Sequence, residues 1–147
     1  MDALPPELPP QWLPVAARWC VAQQRCIDLE VARSSEQQRL GLMQRPALPP
    51  LRGMWFPFST PQQQRFWMFN TPAPLDMIFV RDGRVLDLVR AVPPCAVQPC
   101  PSYAADADGN GRADFVDAVI EIGAGEAERL GIGIGDPVRI DPITSSE

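Results

Sequence analysis

Hydrophobic residues recur along the chain in short runs of period two, the spacing of strands with one buried face. Residues 26–33 alternate Ile27, Leu29 and Val31 with polar partners and predict such a strand. The pattern then changes. Ser34 or Ser35 offers an N-cap, Gln37 and Gln38 stand where a capping box places its second member, and Leu40, Leu42 and Met43 supply an apolar face. This predicts a short helix, ended by Pro46, Pro49 and Pro50. Residues 53–58, 65–69 and 75–81 are β-branched and aromatic runs between proline-containing turns, and predict three strands. Asp82-Gly83 signals a type I′ hairpin, from which residues 84–92 return with Val85, Leu86, Leu88, Val89 and Val92. Residues 115–122 predict another strand, 126–130 a turn or two of helix, and 137–140 a closing strand after Gly135-Asp136. About seven short strands with one or two short helices predict a mainly β, single-domain antiparallel sandwich or barrel.

Prolines 5, 6, 9, 10 and 14 predict an extended, peripheral arm over residues 1–14 that supplies neither helix nor central strand. The expected division is an N-terminal arm over 1–19, one β domain over 20–142 and a tail over 143–147. At 147 residues and 46% hydrophobic, the chain has room for one proper core. Its 13 basic residues, all arginine, face 18 acids for a net charge of −5, which disfavours binding to nucleic acid. Histidine and lysine are absent, excluding Ser-His-Asp triads, histidine-based zinc sites, Schiff-base lysines and the P-loop lysine. No apolar run approaches the roughly 20 residues of a membrane span. The first residues lack the basic and apolar regions of a signal peptide, so the expectation is a cytoplasmic protein or one whose leader is gone.

Cys95 and Cys100 lie in a proline-rich loop suited to a short disulfide, and Cys20 and Cys26 bracket a candidate hairpin tip. Four cysteines allow three connectivities, and the sequence leaves them open. Zinc or redox chemistry usually takes a C-x2-C spacing, which neither pair has. Structural disulfides point to an oxidising compartment and an exported protein.

Three features bear on chemistry. Trp67, Asn70, Thr71 and Asp76 cluster in a segment too apolar for ordinary surface, and read either as convergent polar groups beneath an aromatic wall or as Asx side chains satisfying turn amides. Met43, Met54, Met68 and Met77 resemble a soft Cu(I) set, but each lies in an apolar run, where methionine fills core gaps. Asp106, Asp108, Asn110, Arg112 (through its carbonyl), Asp114 and Asp117 fall at calcium-ligand offsets, with Gly111 at the sharp turn. This loop resembles that of EF-hands, and more closely the dockerin version with a final Asp, although a strand rather than a helix is predicted to follow. The alternative is a solvated, glycine-rich turn.

Gly41-Leu42-Met43 with Arg45, Gly53-Met54-Trp55-Phe56, Phe66-Trp67-Met68 with Asn70-Thr71, Pro74-Leu75-Asp76 with Phe79, and Glu121 with Gly125 occur in that order. Together with the Leu130-Gly131-Ile132 and Gly135-Asp136 ending, they resemble the bacterial family known as domain of unknown function 192, from Ile27 to Ile140. The resemblance implies a mainly β, jelly-roll-like fold, frequent export and no established activity. It marks Arg45, Asn70, Thr71, Asp76 and Glu121 as polar site members, with Phe69 standing where a basic residue is more usual. The resulting expectation is a small, monomeric, non-enzymatic module that binds a small molecule or protein through these residues and Trp67, with calcium as its one candidate cofactor. The alternative is a carboxylate-dependent hydrolase in which Asp76 and Glu121 converge as acid and base.

Overall fold

The computed structural model describes residues 9–22 and 24–143. The chain orders as β1 (Val15–Ala22), β2 (Arg25–Val31), α1 (Ser35–Leu40), β3 (Arg52–Gln62), β4 (Phe66–Trp67), β5 (Leu75–Arg81), β6 (Arg84–Val92), β7 (Ser102–Tyr103), β8 (Val116–Gly123), α2 (Glu126–Leu130) and β9 (Ile140–Pro142). Seven strands form one sheet in the order β6-β5-β8-β3-β2-β1-β9, and β4 pairs with β7 in a two-stranded ribbon. The chain is therefore mainly β, as expected.

Three expectations need correcting. The sheet is mixed rather than antiparallel: β2 and β3 run parallel, because α1 and the loop after it carry the chain back before β3 begins. It is also not a closed barrel, since the edge strands β6 and β9 do not pair. Residues 133–138 cross the gap, with Val85 N donating to Asp136 O, Gly135 N to Val85 O and Val138 N to Gly83 O. Finally, the arm expected over residues 1–19 gives way to β1 at Val15, which pairs with β2 and β9. Residues 1–8, 23 and 144–147, with the first eight residues of the arm and all but the first of the tail, lie outside the described residues.

Local signals act where they stand. Ser34 caps α1 in a full capping box with Gln37. Asp82 and Gly83 both take left-handed φ, 52° and 72°, as a type I′ turn demands. Both disulfides are local, Cys20–Cys26 across the β1–β2 hairpin and Cys95–Cys100 within its loop. The closing strand lies slightly later than expected, at β9, and Pro137 instead bridges Arg84.

Both sheet faces are buried, in keeping with the near-continuous apolar runs of β5 and β8. Trp19, Ile27, Leu29, Ile78, Ile120 and Ile122 form one cluster, which Ala127 and Leu130 of α2 cover. Met54, Phe56, Met77, Phe79 and Val119 form the other, covered by Leu42, Phe66, Met68 and Tyr103. Met54, Met68 and Met77 are thus core packing, and Met43 is buried as well.

Candidate functional site

The second face carries the site. In the register of the sheet, Glu30 of β2, Met54 of β3, Glu121 of β8 and Met77 of β5 stand directly beside one another in a row. Gly53 makes the β3–β8 approach possible: a Cβ there would lie 2.6 Å from Glu121 O and 2.9 Å from Ile122 Cγ2.

Over this row, α1, the turn at residues 41–43, the distal part of β3, β4 and β7 border a half-open cavity of about 680 Å³. That volume is within the roughly 300–1,000 Å³ of small-ligand sites. Leu42, Phe56, Phe66, Trp67 and Leu75 are among its walls, and Arg39, Gln62 and Arg65 are exposed residues that also line it. Phe56 and Phe66 meet edge to face with centroids 4.9 Å apart, which fixes the wall's shape. Gln38 holds α1 over the opening by donating to Ala32 O and Pro57 O.

Glu121 is 4% exposed and lines this cavity. Among the described residues its carboxyl makes no hydrogen bond and no ion pair. Burial alone pushes the carboxyl up to about 8, so the protonated form predominates at neutral pH.

Of the six residues expected to bind ligand, Trp67, Thr71 and Glu121 line the cavity. Thr71 is held by donating its hydroxyl to Phe69 O at 3.3 Å. The other three lie elsewhere. Asn70 takes a left-handed φ of 57° and lines a separate recess with Gln44, Pro94 and Cys95. Arg45 forms a bidentate pair with Glu30, both contacts at 2.8 Å, and stacks 3.8 Å from the Trp12 ring. Gln11 and Leu13 complete this knot, Arg45 donating to Gln11 O and Leu13 N to Glu30 Oε1, so the arm's described part is anchored rather than peripheral.

Asp76 points to the opposite face. It pairs in register with Ile122, whereas Glu121 pairs with Met77, so the two carboxyls are separated by the sheet and cannot converge on one substrate. Asp76 accepts from Ala91 N, Gly125 N and Ala127 N at 2.8, 3.1 and 2.9 Å. It holds a strained residue, Ala91 at φ 52°, and the start of α2. The Asx reading of Asp76 thus has the right chemistry but the wrong amides, which lie far along the chain rather than in the adjacent turn.

In the acidic loop, carboxylate oxygens of Asp106, Asp108 and Asp114 lie within 4.8 Å of one another. Asp106 also accepts from Asn110 N and Gly111 N, and Asn110 Oδ1 accepts from Arg112 N. Asp117, the expected closing ligand, does not join them; it accepts from Asp82 N at 2.6 Å.

Arg39, Phe56, Arg65 and Phe66 line the cavity but are not legible as site residues in the sequence, nor is the Glu30 partner of Arg45. Glu30 occupies a polar position of an alternating strand, and its one sequence signal is that a buried Arg45 requires an acidic partner.

The model of a family described as uncharacterised, domain of unknown function 192, matches residues 18–140. No curated protein matches the chain. A solved structure from Novosphingobium aromaticivorans, a protein of unknown function, is similar at 32% identity and a TM-score of 0.69, over 90% of this chain and 94% of that one. A second, from Sinorhizobium meliloti and provisionally described as a transcription regulator, is similar at 28% identity and a TM-score of 0.66, over 86% and 92%.

Proposed function

The chain belongs to the uncharacterised family domain of unknown function 192, and from that premise we propose that it is a small, non-enzymatic binding module whose ligand occupies the cavity above Glu121. The observation that carries this reading is the coincidence of a small-molecule-sized, largely apolar cavity with a buried carboxyl that the protein leaves without a partner. A binding role is favoured over hydrolysis because Asp76 is committed to three backbone amides on the far side of the sheet. The transcription-regulator description is not carried over, since thirteen arginines against eighteen acids make a poor electrostatic footprint for DNA. The test is binding of the neutral dye Nile red, followed by its fluorescence. Binding to the wild type that is lost in Gln64→Trp, at a cavity-lining position, supports the reading; unchanged binding in that variant contradicts it.

Calcium stabilisation of the acidic loop is part of the proposal, favoured by the three clustered carboxylates. Metal-stripped protein should melt higher as calcium but not magnesium is added, and Asp108→Ala should abolish the rise. No shift at millimolar calcium rejects it. The two disulfides support an oxidising, exported setting, which thiol trapping in intact cells tests: free thiols at all four cysteines would overturn it. Among the described residues no helix is long and apolar enough to cross a membrane.

A further inference from the structure

We infer that the cavity takes an amine: a small ammonium compound whose charged head pairs with Glu121 and whose apolar body lies against Phe56, Phe66 and Trp67. The inference rests on the cavity being a ligand site and adds the chemical class of the ligand.

The first ground is what Glu121 lacks. Its neighbours in the row are Met54 and Met77, which offer no donor. Arg45, the one buried cation among the described residues, is spent on Glu30. Arg39 of α1 and Arg65 before β4 line the cavity, yet neither forms an ion pair with Glu121. Tyr103 of β7 packs on the same cluster without a hydrogen bond to it, and Asp117, on the same strand, is turned to Asp82 N. A ligand that satisfies the ionised form of this carboxyl must therefore bring hydrogen-bond donors, and an ammonium brings three together with the opposite charge.

The second ground is the wall. Three aromatic rings line the same cavity, and ring faces attract cations more strongly where water is excluded. An anionic head would instead meet these rings and a carboxyl. The guanidiniums of Arg39 and Arg65 are exposed, so water and salt screen their repulsion of an entering cation, whereas the buried carboxyl is screened far less. The overall charge of −5 acts in the same direction.

Pairing with an ammonium requires the ionised carboxylate, so amine binding must displace the proton that burial holds on Glu121. With that carboxyl near 8, affinity should rise roughly fifty-fold between about pH 6 and pH 8, and about one proton should be released per amine bound at the lower pH.

The test is calorimetric titration of the intact chain with phenethylamine, phenethyl alcohol and hydrocinnamate, alongside Nile red. The expected result is that the amine binds at least about tenfold tighter than the alcohol at pH 8, shows this pH gain and proton release, and loses both in Glu121→Gln. If Nile red binds but the amine gains nothing over the alcohol, or hydrocinnamate binds best and tightens as pH falls, the amine assignment is overturned and the cavity reading stands. If neither the dye nor any of the three compounds binds, both readings fall. The wild-type pH profile decides the matter even if Glu121→Gln does not fold.

Discussion

Glu30 and Glu121 stand two strands apart in one row of the sheet, on the same face, and both are buried. Glu30 is surrounded by donors: the Arg45 fork, the Leu13 amide, and Arg52 at 4.0 Å. Glu121 has none among the described residues and opens on a cavity. The contrast separates an acid that builds the fold from one that the fold keeps for something else. A chain that ties its N-terminal segment down with a buried ion pair has the means to satisfy a carboxyl, and the second one left bare is the ground of the proposed ligand site.

The sharpest way to break the comparison is to remove the partner from the satisfied acid. Arg45→Met keeps the volume and strands Glu30, and should cost about 3–5 kcal/mol in urea unfolding. A loss below about 1 kcal/mol would mean that the pair is dispensable and that the two glutamates are alike. Asp76 gives a third case, an acid satisfied by backbone alone. Asp76→Ala strands the amides of Ala91, Gly125 and Ala127 and should cost about 3 kcal/mol, with the loss seen as faster amide exchange around α2. Smaller again, removing either disulfide alone should lower stability by about 2 kcal/mol, and should leave the pH dependence due to Glu121 untouched, since neither bridge meets that residue.

Much of the fold was legible because period-two runs and turn residues act locally. Asp82-Gly83, the Ser34 cap and the alternation of Ile27, Leu29 and Val31 each predicted an element the structure contains. β1 was missed because Val15–Ala22 is rich in alanine, which carries little β signal, and follows a run of prolines. β7 is two residues long, too short to show any period. The parallel pairing of β2 with β3 depends on how α1 crosses the sheet, and residue patterns do not encode that.

The site was less legible for one physical reason. Alternation assigns residues to faces, but it does not reveal that both faces of this sheet are covered. Glu30 therefore looked like an exposed polar position, and Asp76 looked like a partner for Glu121 although their strand positions place them on opposite sides. Trp67, Thr71 and Glu121 can be named from the sequence and line the cavity, while the elements that cover them, α1 and the β4–β7 ribbon, cannot be assembled around them from residue patterns.

The most direct test of the unpartnered acid is the stability of the wild type and of Glu121→Gln, measured by urea unfolding from pH 5 to pH 8. The folded chain holds a proton on Glu121 up to about 8, whereas the unfolded chain releases it near 4.5, so this group's contribution to stability is lost as pH rises through that window. The wild type should lose on the order of 3 kcal/mol relative to the variant between pH 5 and pH 8. Parallel profiles, with a constant difference across that range, would show that the fold does not hold a proton on Glu121, and would contradict the account.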